Sequence, residues 1–472
     1  MVMRFFRFEG WPLMHWPKEP CAEKRCTRPQ APRSASLHAR RYRRVRHNRV
    51  MHVLPGLWPS PWPAEDAGPE RRQVPLRGGG LGLVAGDELD VTSRLAIAST
   101  MVIVRDPGEV FLLCHTGGDA AISWVEQLDP QTLEAVRRSA DLPGGPTWPG
   151  GIAAHANGSL YVVFGRHAHR LSADLSVVHT VELPRDRPYN SFVVLPDGHL
   201  ATKDFAGARP GHLDGDALGA SELLVLEPDA LEVVGRCVLP EPSIARLSAA
   251  GNDVYVVGDT SLLRVRWDGD NLTLDESFHP RYRTMEGQTY GWDAVIAADA
   301  AWFLDNGAGN ERYAGSFRGL GVSTAPLHLV RVGLADGSVS MVEVCGLPGG
   351  LIANPPAVDP ERRIAVGYDS GNGVVAAFRF DDEGACTPLW RREMNHAAHP
   401  LLLADTGELV LCDHDAARNA EQVVVVQIET GEELARADTG GPVQSVLFGA
   451  VGYDHELYLC SFTTVSRVTV RR

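Results

Sequence analysis

The chain has 472 residues, a formal net charge of −14, 44% hydrophobic and 22% charged residues, and eight cysteines. No apolar stretch approaches the about eighteen residues that a membrane helix needs, and Phe5-Phe6 is too short for a signal-peptide core, so we expect a cytoplasmic protein without a membrane partner. The cysteines lack the paired spacings of a disulfide framework or a zinc ribbon and are expected to be small buried side chains.

The first 50 residues form a basic arm. They carry thirteen Lys or Arg and three Asp or Glu, which leaves the rest of the chain at −24. Arg40–Arg46 lie among Pro, Ser and His without an apolar period, which predicts disorder for residues 1–75, or a mis-assigned start if translation begins at Met51. An acidic body repels the polyanion that such an arm attracts, so nucleic acid is not an expected partner.

From residue 96 onward one pattern recurs, with an apolar strand, an Asp/Asn/Gly turn, a second apolar strand that ends in polar residues, and two more alternating strands. The turn and second strand occur eight times, at Asp106–Cys114, Asn157–Phe164, Asp197–Asp204, Gly251–Gly258, Asp299–Asp305, Asp359–Gly367, Asp405–Cys412 and Asp454–Cys460. Units of about forty to fifty residues with even strand spacing are typical of four-stranded propeller blades. The sequence predicts an all-β, eight-bladed β-propeller as a single domain over residues 76–472, with seven blades as the fallback.

The last unit has room for only three strands. We expect a strand within Leu89–Ala98 to complete this blade and to close the ring, since closure removes the exposed sheet edges.

Lys203 is the only lysine between residue 25 and residue 472, because the chain uses arginine nearly everywhere else. It ends a strand beside Asp204, in the register where side chains pack between blades. Only lysine, not arginine, loses its proton readily on burial, so Lys203 and Asp204 are candidate catalytic residues. A structural ion pair is the alternative reading.

The longest departure from the repeat is Asn306–Pro326, on the side where the fifth blade's second strand ends. Its glycines, with Arg312, Tyr313, Phe317 and Arg318, predict a mobile loop that closes over a ligand at the channel mouth. A tolerated surface insertion is the alternative. The candidate substrate-binding residues at this mouth are Trp148, Tyr189, Trp292, Arg312 and Arg318.

Loops that enter the innermost strands and loops that leave the second strands share one face of a propeller. His396 and His399 enter the seventh blade there and are further candidate catalytic residues. The candidate metal ligands at this face are Asn190, Asp293, Asp305, Asp413 and His414. Such a set could hold Ca²⁺ through oxygen ligands, or a zinc-class metal if the histidines take part. Asx-turns at strand ends explain the same aspartates structurally.

Two segments carry a family resemblance. Asn354–Asp369, with the strands that follow it, and Val423–Leu434 resemble the repeat of the quinoprotein-like propeller superfamily, which implies eight blades. The tryptophan docking pattern of its quinone dehydrogenases is not evident, so the quinone cofactor PQQ is not expected. Tyr189–Asp204 resembles a motif of the senescence-marker-protein/gluconolactonase and strictosidine-synthase-like propellers. That resemblance implies metal ligation by Asn190, although Ser191 replaces the adjoining aspartate.

The sequence therefore favours a propeller whose polar mouth binds or acts on a small polar molecule, with a metal as the candidate cofactor. As an enzyme it would be a lactonase-like hydrolase or a lyase or isomerase that transfers a proton. A non-catalytic scaffold that binds protein through the propeller face is one alternative, and a quinone-dependent or other redox propeller enzyme is another.

Overall fold

The computed structural model describes residues 51–148, 150–206 and 219–472, apart from the side chain of Asn190, so the predicted disorder of residues 1–50 lies outside the described residues. In these described ranges no helix is long and apolar enough to cross a membrane. The chain forms eight antiparallel sheets, and single turns of 3-10 helix occur at Glu65–Ala67 and Asn310–Arg312. The predicted eight-bladed propeller is confirmed.

Strand β1 (Leu89–Leu95) precedes the first complete blade, and the remaining strands follow blade by blade. Blade 1 contains β2 (Ser99–Val104), β3 (Val110–His115), β4 (Ala121–Leu128), β5 (Ala135–Arg138) and β6 (Leu142–Gly145). Blade 2 contains β7 (Gly151–Ala154), β8 (Leu160–Phe164), β9 (His167–Leu171) and β10 (Val177–Glu182). Blade 3 contains β11 (Tyr189–Val194), β12 (Leu200–Asp204), β13 (Glu222–Leu226) and β14 (Val233–Val238). Blade 4 contains β15 (Ser248–Ala250), β16 (Asp253–Val257), β17 (Leu262–Trp267) and β18 (Leu272–Leu274).

The second half of the ring repeats this arrangement. Blade 5 contains β19 (Val295–Ala297), β20 (Ala300–Leu304), β21 (His328–Gly333) and β22 (Val339–Glu343). Blade 6 contains β23 (Ala357–Asp359), β24 (Ile364–Asp369), β25 (Val374–Phe380) and β26 (Cys386–Glu393). Blade 7 contains β27 (Leu401–Leu403), β28 (Glu408–Asp415), β29 (Ala420–Gln427) and β30 (Glu433–Asp438). Blade 8 contains β31 (Phe448–Val451), β32 (Leu457–Cys460) and β33 (Thr464–Val470).

Burial explains the strand sequences. The first two strands of blade 1 are buried at every position, whereas β5 is exposed at every position. An inner strand packs against neighbouring blades on both faces and is therefore a continuous apolar run. An outer strand faces water and tolerates charge, as Arg137 and Arg138 show.

Blade 8 is completed by β1, which pairs antiparallel with β33 from Leu89 opposite Val470 to Leu95 opposite Thr464. The predicted closing strand is thus confirmed. Seven ladder pairs join the two ends of the ring, so β33 is paired on both sides and β1 forms the outer edge of this blade.

Residues 57–77 form what we call the stopper, which crosses the base of the central channel. Its backbone carbonyls accept hydrogen bonds from the innermost strands of five blades. The accepting and donating residues are Trp62 and Val104, Pro63 and Ala154, Pro69 and Ala249, Glu70 and Ile296, and Gln73 and Leu402. Residues 51–75, assigned to the arm on sequence grounds, therefore lie against the propeller.

The stopper contains four non-glycine residues in the left-handed region, Asp66, Ala67, Arg71 and Gln73, with φ of 54°, 69°, 53° and 57°. Each such conformation costs about 1–3 kcal/mol and persists only where surrounding contacts enforce it. The turns aim the side chains of Asp66, Arg71 and Gln73 inward, and all three are buried. The stopper therefore delivers polar groups to the hub of the ring.

Candidate ligand-binding site at the channel mouth

A cavity with a volume of about 60 Å³ lies at the mouth, on the face opposite the stopper; we call it the mouth cavity. Its lining comes from the entry loops of several blades, from the exit of blade 8 and from the Asn306–Pro326 loop. The lining residues are Trp148, Arg246, Trp292, Asn310, Tyr313, Phe317, Ala353, Asn354, Val446, Phe448 and Phe462. Six of these eleven are aromatic, so the walls suit a flat apolar body.

The aromatic rings contact one another around the cavity. The Trp148 and Trp292 ring centroids are 6.2 Å apart, and Tyr313 lies 4.6 Å from Phe317 and 5.5 Å from Phe462. Trp148 also stacks on Phe205 at 3.9 Å. These contacts order the rings around the cavity.

Two buried amides, Asn310 and Asn354, supply the cavity with hydrogen-bond acceptors. Asn354 donates through Nδ2 to the Ala397 carbonyl. Asn310 donates through Nδ2 to the Gly307 carbonyl at 2.7 Å and to the Ile352 carbonyl at 2.9 Å. Among the described residues neither Oδ1 atom has a hydrogen-bond partner. Because a carbonyl can only accept, these contacts also settle which end of each amide is oxygen.

Residues 306–326, which we call the lid, cross the mouth from blade 5 to the entry of blade 8. The Gln444 side-chain oxygen accepts from Ser316 Oγ at 2.9 Å and from the Phe317 amide at 2.8 Å. The backbone amide of Gln444 donates to the Gly315 carbonyl at 3.0 Å, and the Tyr313 hydroxyl donates to the backbone carbonyl of Gln444. Gln444 of the opposite wall thus latches the Gly315–Phe317 part of the lid over the cavity.

Beneath the cavity, ionic side chains of the stopper and of the blades form what we call the hub network. Arg246 lies 2.9 Å from Glu65 and 3.1 Å from Asp293. Arg71 lies 3.1 Å from Glu65 and 2.9 Å from Asp66. Because Arg246 also lines the cavity, the network connects the stopper to the ligand site.

His399 completes this network. Its Nδ1 lies 2.7 Å from Asp66 Oδ1, and its ring lies 4.5 Å from the ring of Phe448 in the cavity wall. Burial would raise the pKa of Asp66, but His399 and Arg71 outweigh that effect and lower it below its ordinary value. Asp66 therefore stays ionised and holds the imidazole in one orientation.

The four predicted catalytic residues fall into two separate pairs. Lys203 and Asp204 end β12 in blade 3, whereas His396 and His399 precede β27 in blade 7, on the opposite side of the ring. Lys203 is fully buried, and its Nζ donates to the Ser243 carbonyl at 3.1 Å and to the Asp204 carbonyl at 3.4 Å. The Asp204 carboxylate accepts from Arg187 at 2.8 Å.

His396 is held differently from His399. Its Nδ1 accepts the Cys412 amide at 3.0 Å, and burial lowers its pKa to about 4. His396 is therefore a neutral imidazole at pH 7, with the proton on Nε2.

Three of the five predicted metal ligands pair with basic side chains. Asp293 pairs with Arg246, Asp413 lies 2.8 Å from Arg436, and Asp305 lies 2.9 Å from His328 Nδ1. His414 is buried at the exit of blade 7, and the Asn190 side chain is outside the described atoms. In the part of the chain that the structure describes, no group of three or more His, Cys, Asp or Glu side chains is placed to hold a metal ion.

Of the predicted substrate-binding residues, Trp148 and Trp292 line the cavity. Tyr189 is instead buried in the core between blades 2 and 3. Arg312 and Arg318 lie on the lid with exposed side chains. The structure thus brings the two tryptophans together and leaves the other three residues away from the cavity.

Sequence reasoning missed the stopper residues Glu65, Asp66 and Arg71, because it assigned residues 1–75 to the disordered arm. It also missed Arg246 and Phe462. A signal for these two exists in the repeat, since Arg246 precedes an innermost strand, as Trp148 and Trp292 do, and Phe462 follows a second strand.

Solved structures share this fold at low sequence identity. The quinohemoprotein alcohol dehydrogenase ADHIIG from Pseudomonas putida HK5 is 10% identical with a TM-score of 0.58 over 88% of this chain and 80% of that chain. The quinohemoprotein alcohol dehydrogenase from Comamonas testosteroni is 11% identical, with a TM-score of 0.56 over 87% of this chain and 80% of that chain. A europium-containing methanol dehydrogenase is 10% identical with a TM-score of 0.51 over 85% and 89%. No protein-family profile and no curated relative matches the sequence.

Proposed function

We propose that this quinoprotein-like eight-bladed propeller binds a small molecule in the mouth cavity beneath the lid and carries out acid–base chemistry on it. The observation that carries the proposal is the convergence of six aromatic side chains and two unpaired amide oxygens on one cavity. Concave, mostly apolar sites with a few placed polar groups are the usual form of small-molecule sites.

The lid supports the same proposal. Tyr313 and Phe317 stand on a glycine-rich segment and form part of the cavity wall, while Gln444 holds that segment shut. Lids of this kind admit a ligand and then exclude water from it. A surface insertion with no role in binding has no need to place two aromatic rings in the cavity wall.

His399 is the group we assign to proton transfer. In the neutral ring the Nδ1 proton is donated to Asp66, which leaves Nε2 as the basic position, and Nε2 has no partner among the described residues. His399 is buried behind the Phe448 ring and is not itself part of the cavity lining, so proton transfer to a ligand requires this wall to open. Asp66 would stabilise the imidazolium that forms when Nε2 accepts a proton. Proton transfer of this kind serves a lyase or an isomerase.

The residues described here do not fit a metal. Asp293, Asp305 and Asp413 belong to different blade loops, and each already pairs with a basic side chain that a cation would have to displace. The proton transfer proposed above uses side chains of the protein alone.

Ligand-observed NMR with a library of small fragments tests the proposal, using the full chain, Trp292→Ala and the control Trp124→Ala, whose ring lies on an outer face beside Arg138. We expect fragments that compete for one site in the wild type, lose binding in Trp292→Ala and keep it in Trp124→Ala. Equal binding of all fragments to the three proteins would show that the mouth cavity is not the site. Tight co-purification of another protein with an inert mouth would favour the scaffold instead.

A further inference from the structure

We infer that the ligand of the mouth cavity is an uncharged planar ring that carries N–H or O–H donors, and that Asn310 and Asn354 read those donors. This inference rests on the proposed function and names its ligand class.

The amide oxygens supply the first argument. Both asparagines are at least nine-tenths buried, and both Nδ2 groups already donate to backbone carbonyls. Asn310 therefore offers the cavity only its Oδ1 acceptor, whereas Asn354 keeps its Oδ1 and the second Nδ2 proton. A buried acceptor without a donor is costly, so a ligand that brings donors gains affinity that an apolar ring of the same size does not.

Charge supplies the second argument. Arg246 is the one formally charged side chain among the lining residues, and its guanidinium is already shared by Glu65 and Asp293. An anionic ligand would find this guanidinium already paired. A cationic ligand would be repelled by Arg246, which already lies 5.0 Å from the Phe448 ring centroid. A charged ligand would therefore lose its hydration without gaining a counter-ion.

Size supplies the third argument. The cavity holds about 60 Å³, whereas a cavity that accepts benzene has about 150 Å³. Tyr313 and Phe317 are the cavity-lining aromatic residues that stand on the lid, so a single ring can enter when the lid moves outward. A single ring needs the smallest lid movement of any planar ligand, and we therefore assign the site to one ring.

The test uses four probes of one ring each on the full chain. Resorcinol carries two O–H donors, m-xylene has the same size without donors, and benzoate and benzylammonium carry opposite charges. Dissociation constants come from ligand-observed NMR titrations of the wild type, of Asn310→Ala and Asn354→Ala, and of Gln444→Ala, in which the lid latch is weakened.

We expect resorcinol to bind the wild type at least about tenfold more tightly than m-xylene, benzoate or benzylammonium. Each asparagine variant should reduce the ratio of the resorcinol affinity to the m-xylene affinity by about tenfold. Gln444→Ala should increase the affinity for both ligands and leave this ratio unchanged. The ratio is the readout because a general loss of structure weakens both ligands together. Melting temperatures identify a variant that fails to fold, and the other asparagine then carries the test.

The outcomes separate the two proposals. Recognition of ligand donors by Asn310 and Asn354 is wrong if m-xylene or a charged probe binds as well as resorcinol, or if both asparagine variants keep the wild-type affinity ratio. The cavity would then remain a ligand site. If no probe binds the wild type or Gln444→Ala, both the donor reading and the mouth cavity as a single-ring site are wrong.

Discussion

Asp66 and His399 are joined by a 2.7 Å contact between Oδ1 and Nδ1, although 333 residues separate them in the chain. The contact fastens the stopper to blade 7 at the centre of the ring. Asp66 also pairs with Arg71, so one carboxylate serves both a blade and its own segment. The hub network thus depends on a residue that belongs to no blade.

Asp66→Asn should destabilise the fold by about 3–5 kcal/mol at pH 7, since it leaves Arg71 and His399 without their buried anion. The folded-state pKa of Asp66 is lowered, so its stabilising contribution is present above the unfolded pKa of about 3.9 and is lost as the pH falls through the lower folded value. Urea denaturation at several pH values measures this.

The difference in the free energy of unfolding between the wild type and Asp66→Asn should therefore shrink below about pH 4. The exposed Asp119→Asn is the matched control and should change stability little at any pH. A deficit that is equal at pH 7 and at pH 3 would contradict the assigned ionisation of Asp66.

Glu421 should make the protein less stable as the pH rises from about 4.5 to about 7, because burial raises its pKa to about 7. Its carboxyl accepts from the Ser445 amide at 2.9 Å and from Ser445 Oγ at 2.6 Å, next to the lid latch. Below the unfolded pKa the proton is bound in both states, and above the folded pKa the buried charge opposes folding. Glu421→Gln should match the wild type near pH 4.5 and exceed its stability by roughly 2–3 kcal/mol at pH 8 in urea denaturation. Wild-type and variant curves that run parallel over this range would show that Glu421 keeps an ordinary pKa.

Gln444→Ala should loosen the lid. The substitution removes two hydrogen bonds to the side-chain oxygen, each of which contributes about 1 kcal/mol, so amide exchange at Phe317 should accelerate by about thirtyfold. Hydrogen exchange followed by mass spectrometry measures this. Leu239 is the internal control, since its amide donates to the Ser221 carbonyl in blade 3, outside the lid. Uniform acceleration at both amides would point to general unfolding and not to the latch.

Lys203 should resist acylation in the native protein. Its side chain is fully buried, and the Ser243 carbonyl accepts from Nζ at 3.1 Å. Mass spectrometry should find Lys203 unmodified between pH 6 and pH 10 and fully modified after denaturation in guanidinium. Rapid native modification near pH 7 would instead mark Lys203 as an accessible, functional amine.

The ring could be predicted from the sequence because each blade repeats the same turn and second strand. The closing strand within Leu89–Ala98 followed from counting strands, and the structure places β1 there. Trp148 and Trp292 were found through the same register. The repeat shows which residues of each blade precede an innermost strand, so residues of the mouth can be located from the sequence.

The stopper could not be predicted because it has no repeat and no strand pattern. Its inward side chains depend on left-handed backbone at Asp66, Arg71 and Gln73, which local sequence does not encode for non-glycine residues. The pairing of Lys203 with backbone carbonyls and of Asp293 with Arg246 likewise results from contacts between distant segments. Candidate chemistry was therefore assigned to polar residues whose partners were not visible in the sequence.

The pairing of β1 with β33 also constrains how the protein is made. A nascent chain that has completed seven blades is an open arc, with the inner face of blade 1 and the strand β1 awaiting a partner. The ring cannot close until residues 464–470 have left the ribosome, so apolar blade faces are exposed throughout elongation. Chaperone demand during synthesis should accordingly follow the time needed to translate the whole ring, rather than the stability of any single blade.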